Sequence, residues 1–164
     1  MAVKPERIAL DLIDHNGNAF TAAQLASGLT LCYFGFLHCR AVCPRSLAKL
    51  NEILQLLGPR QRQVKVLYIS VDPARDTPEA MKSFLAENYP AFTGLTGTQA
   101  AIDMAKASMN VFTRQTNDPE DPEGYAVPHT ALIYLVDGTG AYLTHFADHL
   151  TAQDIANRLE SYIE

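Results

Sequence analysis

The chain has 164 residues, 48% of them hydrophobic and 19% charged, and a formal net charge of -5. This length buries a full core without staples, so residues 1–164 are read as one domain. The acidic balance leaves no basic stripe for a nucleic acid, no run approaches the roughly 18 apolar residues of a membrane span, and the N-terminus lacks a signal-peptide core.

In chain order, Ile8 to Ile13 reads as a short strand, and Asp14-His15-Asn16-Gly17-Asn18 as its hairpin turn, with Asn-Gly supplying the positive φ. Leu29 to Leu37 is a continuous apolar run, the pattern of a strand buried on both faces. Pro44 suits the first turn of a helix in which Leu47, Leu50, Ile53, Leu54 and Leu57 recur at helical spacing, and Gly58-Pro59 stops it. Val64 to Val71 is the next buried strand. Asp72 to Glu79 is a turn that runs into a capped helix start, with Pro78 first and Met81, Phe84 and Leu85 inward. Leu95-Thr96-Gly97-Thr98 leads into a helix that runs to about Met109, and Asn117 to Gly124 is an acidic, proline-bearing loop. Thr130 to Val136 and Ala141 to Phe146 form a hairpin, and Thr151 with Asp154 caps a final helix.

The predicted order is therefore hairpin, strand, helix, strand, helix, helix, strand, strand, helix. Alternating strands and helices imply a parallel-dominated central sheet with right-handed crossovers. The last two strands add an antiparallel edge. The fold expected is α/β and thioredoxin-like: a central mixed sheet flanked by helices, with an N-terminal β-hairpin.

The three cysteines are an odd number and too few for a disulfide scaffold. Cys32 falls inside the apolar strand and reads as a small buried hydrophobe. Cys39 and Cys43 lie where that strand turns into a helix, and His129 opens a later strand. A helix N-terminus favours a thiolate, lowering cysteine pKa values from about 8.5 to roughly 3.5–7.5. The thiolate is both nucleophile and metal ligand, so the junction serves either chemistry. Thioredoxin-like oxidoreductases use two intervening residues; here there are three, Arg40-Ala41-Val42, which loosens the loop and lets both sulfurs turn to a common point. A disulfide stays geometrically open. A structural zinc site would need four ligands. Two thiols and one imidazole fit a low-coordination Cu(I) ion better, because soft sulfur ligands select it.

These residues resemble the Sco/SenC family, copper-binding thioredoxin-fold proteins that serve cytochrome c oxidase assembly. The matching stretches are Tyr33 to Pro44, Ile69-Ser70-Val71-Asp72-Pro73-Ala74-Arg75-Asp76-Thr77-Pro78, Leu95-Thr96-Gly97, Val127-Pro128-His129-Thr130 and Tyr134-Leu135-Val136-Asp137. The resemblance implies copper, Cu(I) or Cu(II), held by Cys39, Cys43 and His129. It implies as partner the CuA-bearing subunit of cytochrome c oxidase or another copper or thiol protein. It also implies a periplasmic location or the outer face of the cytoplasmic membrane, behind an anchor that is not found in residues 1–164.

Two departures stand out. Arg40-Ala41 replaces the family's Pro-Asp after the first cysteine, and Pro128 replaces the Asp before the histidine. Losing two carboxylates and gaining a cation lowers thiol pKa values while weakening attraction for a metal cation. Pro128 also holds Val127 extended, which helps aim His129.

Other candidates read more plainly. His38 is a loop or supporting residue beside Cys39, and His145 and His149 are surface residues near the end of the last strand. Met81, Met104 and Met109 are read as core methionines, and Asp72 and Asp76 as turn and cap residues rather than a catalytic carboxylate pair.

The leading function is a metallochaperone that binds and passes copper without turnover. The alternative is a thiol–disulfide oxidoreductase acting through the Cys39/Cys43 pair, with His129 dispensable. A peroxidase fits poorly: peroxiredoxins place Thr three residues before the reactive cysteine, where this chain has Phe36 and Arg40, and the tryptophan of glutathione peroxidases is missing, since the chain has none.

Overall fold

The computed structural model describes Ile8 and residues 10–25, 28–35, 42–108, 116–117, 125–126, 133–146 and 150–163; for 42–45, 88, 116–117 and 125–126 it describes backbone only. Strands β1 (Asp11–Asp14) and β2 (Ala19–Thr21) form the expected hairpin. Asp14 closes its turn, with Oδ1 accepting from the backbone N–H groups of Asn16 (2.9 Å) and Asn18 (3.0 Å), and Gly17 takes the required positive φ of 85°.

Strand β3 (Leu29–Gly35) is buried at every residue, as a strand covered on both faces must be. Helix α1 (Val42–Leu57) follows, burying Leu47, Leu50, Ile53, Leu54 and Leu57. Gly58, at φ 58°, ends it in the left-handed region and a 3-10 turn leads on. Strand β4 (Val64–Ser70) is buried except at Lys65. Helix α2 (Pro78–Asn88) starts as expected, Thr77 accepting from the Ala80 N–H and Pro78 occupying the first turn. Helix α3 (Gln99–Ser108), strands β8 (Ile133–Asp137) and β9 (Tyr142–Phe146), and helix α4 (Ala152–Glu160) complete the main fold. The Thr151–Asp154 capping box at α4 is reciprocal, as its sequence implies.

Three strands depart from the expected order. Strand β5 (Thr93–Thr96) lies between α2 and α3, where only a lead-in was expected. Its sequence, Thr-Gly-Leu-Thr, has no apolar run to announce it; its sheet neighbours on both sides make it a strand. Short strands β6 (Thr116–Asn117) and β7 (Tyr125–Ala126) pair with each other, so Asn117, expected in the acidic loop, ends β6; the rest of that loop, 118–124, lies outside the described residues.

The main sheet runs β2-β1-β5-β4-β3-β8-β9, with β3, β4 and β5 parallel and the flanking strands antiparallel. Alternation along β3 divides the core. Leu29, Leu31 and Tyr33 join α1, α2 and α4, while Cys32 and Phe34 join the N-terminal hairpin and α3. Each fully buried Leu or Ile stabilises by roughly 1.5–3 kcal/mol. Gly94 lets α2 lie directly on the sheet, because a Cβ there would meet Leu85 Cδ1 at 2.9 Å and Met81 Cε at 3.0 Å. The Gly94 N–H donates to His15 Nδ1 at 3.0 Å, so an imidazole continues the β1–β5 ladder where the hairpin backbone turns away.

Met81 is fully buried, but Met104 is 59% exposed, which corrects its reading as a core residue. The inward face of α3 is set by Ile102 and Ala105, and Met104 sits on the far side of that pair. Met109 lies outside the described residues.

Candidate functional site

Three adjacent strands, β4, β3 and β8, bring the described positions that flank the sequence-predicted residues towards one end of the sheet. Strand β3 ends at Gly35, whose register partner on β4 is Ser70, the last residue of that strand. Strand β8 runs the other way, and its first residue, Ile133, pairs with Tyr33. The carboxyl ends of β3 and β4 and the start of β8 therefore share one edge, where sites in open α/β sheets form. Cys39 and His129 lie outside the described residues. In sequence, each is four residues from a described position at that edge, Gly35 or Ile133.

Cys43 is the second residue of α1 by backbone; its side chain is not among those described. The first turn of α1 contains no acidic residue, so no carboxylate of its own offsets the positive end of the helix dipole. His38 lies outside the described residues with the rest of 36–41. Among the described residues no group of three or more His, Cys, Asp or Glu side chains is arranged to hold a metal ion.

Cys32 is a contrast. It is fully buried within β3, and burial pushes its thiol up to about 12. It is a core residue, as its place in the apolar run predicts. His145 is exposed on β9, as expected, with Nδ1 2.7 Å from the Tyr142 hydroxyl; His149 lies outside the described residues. Burial, reinforced by Tyr142, pushes Tyr134 up to about 12.

The segment after β4 carries more than turn chemistry. Ser70 and Asp76 are fully buried and Asp72 is nearly so. The Ser70 hydroxyl donates to Asp76 Oδ2 at 2.7 Å and accepts from the Asp72 N–H at 3.0 Å. The Asp72 carbonyl accepts from the N–H groups of Arg75 (3.2 Å) and Asp76 (2.9 Å), making Asp72 the turn residue its sequence implies, and Arg75 Nε donates to Asp72 Oδ2. Thr77, not Asp76, is the cap of α2. The sequence reading does not reach the buried role of Ser70; a serine that closes the apolar stretch Val66-Leu67-Tyr68-Ile69, two residues before an Asp, is the signal that carries it.

A shallow cavity lined by Gly28, Leu29, Gln63, Asp137, Tyr162 and Ile163 lies at the opposite end of the sheet, where β3 begins and β8 ends. The Asp137 carboxylate there is engaged with Thr139 and Ala141 in the β8–β9 turn, which leaves the cavity no link to the thiol chemistry.

The model of the SCO1/SenC family matches residues 4–164 of the chain. The chain belongs to the SCO1/SenC family. A SCO2-like protein of Rickettsia felis is 38% identical over 136 residues, covering 83% of this chain and 66% of that protein, so the chain spans about two thirds of this relative's length. The structure of Bradyrhizobium japonicum ScoI with copper bound is 37% identical and superposes with a TM-score of 0.82, covering 99% of this chain and 100% of that one. BsSco, a member of the Sco family of cytochrome c oxidase assembly proteins in which a disulfide switch has been identified, is 26% identical with a TM-score of 0.76, covering 98% of this chain and 95% of that one. The expected thioredoxin-like α/β fold is the fold of the family.

Proposed function

We propose that this chain is a copper metallochaperone. Residues 1–164 act as one thioredoxin-like unit that holds copper through the sulfurs of Cys39 and Cys43 and an imidazole nitrogen of His129. The copper is cargo, passed by ligand exchange to the CuA centre of a cytochrome c oxidase subunit on the outer side of the cytoplasmic membrane. The observation that carries this reading is the whole-length likeness to ScoI with copper bound, joined to one end of the sheet where Gly35 and Ile133, the described positions nearest Cys39 and His129 in the chain, come together. The donor set suits the cargo: two soft thiolates select Cu(I) over hard cations. Three ligands rather than four leave a position through which an incoming ligand of the acceptor protein starts the exchange. Binding needs deprotonated sulfur, so loading releases protons and weakens as pH falls.

A second reading is favoured by Arg40, by the missing carboxylate at Pro128 and by the disulfide switch of BsSco. In it, the thiolate of one cysteine attacks a target disulfide, and the second cysteine resolves the mixed disulfide. Cys39 and Cys43 lose two electrons and two protons, and the target becomes a dithiol.

Copper K-edge absorption of the Cu(I)-loaded protein separates the two. The metallochaperone reading expects two sulfur scatterers and one nitrogen scatterer, with the nitrogen lost in His129→Ala. A sulfur-only spectrum in the wild type, indifferent to that substitution, would contradict the ligand set.

A further inference from the structure

The Ser70–Asp76 pair and the Asp72–Arg75 pair sit at the end of β4, outside the proposed ligand set, yet they are costly to bury. A carboxylate taken out of water loses several kcal/mol of hydration unless strong hydrogen bonds replace it, and apolar side chains of similar size would fill the same space more cheaply. What such a network supplies is a single geometry, because each polar group accepts only a narrow range of partners.

That geometry is transmitted to β3 by two links. Ser70 is the register partner of Gly35, and the next residue, Val71, donates its N–H to the Gly35 carbonyl at 2.8 Å. Gly35 is the last residue of β3 and the point from which the Cys39–Cys43 segment departs. The hydroxyl of Ser70 is saturated on both sides, by Asp76 and by the Asp72 N–H, so neither Val71 nor the turn after it is free to slide. The turn is closed again by the Asp72 carbonyl and by Arg75.

We infer that Ser70 and Asp76, braced by the Asp72–Arg75 pair, are positioning residues for the proposed thiols: they fix the end of β3, from which the chain runs on to Cys39. This inference rests on the proposed role of those cysteines, and its test is arranged so that the two fail separately.

The variants are Ser70→Ala, which removes the hydroxyl, Asp76→Asn, which removes the charge at constant size, and Ser70→Thr, which restores the hydroxyl. Leu159→Ala, on the buried face of α4 towards the opposite end of the sheet, is a comparator that lowers stability away from this edge. Two readouts are taken on whole, reduced protein: Cu(I) affinity against a competing chelator, and the rate of thiol alkylation by iodoacetamide in the absence of metal. Ser70→Ala and Asp76→Asn are expected to weaken Cu(I) binding about tenfold, as loss of supporting partners at metal sites does. They are also expected to change the alkylation rate at least about threefold, because thiol reactivity follows local environment and access. Ser70→Thr recovers both values, and Leu159→Ala leaves both near wild type. If the alkylation rates of all variants merely follow their thermal stability, or do not move, the inference is overturned. If the wild type binds no copper, the metallochaperone reading falls while the alkylation rates still decide the positioning role. Should Asp76→Asn fail to fold, the Ser70→Ala and Ser70→Thr comparison carries the test alone.

Discussion

Cys32 and Cys43 belong to one strand–helix unit and differ in everything but residue type. Cys32 stands in the middle of β3 with apolar neighbours on its face, among them Phe34, Leu67 and Tyr134, and burial holds its proton to about pH 12. Cys43 stands in the first turn of α1, the end of a helix that favours negative charge and thiolate chemistry. A thiol becomes structural or chemical according to where the fold seats it. The three-residue spacing to Cys39 has consequences because a helix begins between them, at Val42.

The largest effect that sharpens the comparison is expected from the layer supporting α1. Leu50 lies on the buried face of that helix and is fully buried, and Leu50→Ala should cost about 2–5 kcal/mol in chemical denaturation. A cost below about 1 kcal/mol would mean that α1 is not seated as described. Next comes Cys32→Ser, which puts a hydroxyl where a weakly polar thiol sits in the core; it should lose roughly 1–3 kcal/mol of stability yet keep copper stoichiometry unchanged. Loss of copper binding in folded Cys32→Ser would break the division between the thiols. The smallest effect lies at alkaline pH. The folded-state pKa of Cys32 is raised, so the native state keeps its proton while the unfolded state ionises. The stabilisation is fully present below pH 9 and is lost as pH rises from 9 towards 12. The wild type should lose stability between pH 9 and 11 with a slope up to about 1.4 kcal/mol per pH unit steeper than Cys32→Ala, measured by thermal or urea unfolding. Parallel profiles would show that the Cys32 thiol ionises alike in both states.

Much of this was legible in the residues. The apolar run at Leu29, the leucine spacing of α1, the Thr77 and Thr151 caps and the Asn-Gly turn each state their element locally, because periodicity and capping are local signals. Strand β5 was not, since Thr-Gly-Leu-Thr has no pattern of its own and is made a strand by β1 and β4 on its two sides. Met104 differs from its reading for a related reason: α3 buries only a narrow stripe through Ile102 and Ala105, and an apolar residue on the far side of that stripe looks like core in sequence alone. At the site, the motif at residues 69–78 marked its own importance, but the Ser70–Asp76 bond is a tertiary contact across a turn and has no periodic signature. Residue type, spacing and family resemblance single out Cys39, Cys43 and His129; the convergence of Gly35 and Ile133 at one end of the sheet follows from strand register, which only the fold supplies.

The central claim is that two cysteines and one histidine hold a single copper ion. An anaerobic Cu(I) titration of fully reduced protein against a competing chelator, wild type beside His129→Ala, tests it most directly. The account predicts one tightly held copper per chain, weakened at least about tenfold by the substitution, roughly 1.4 kcal/mol. Absence of competitive binding, or binding indifferent to His129, would contradict it and leave the dithiol pair as a redox couple.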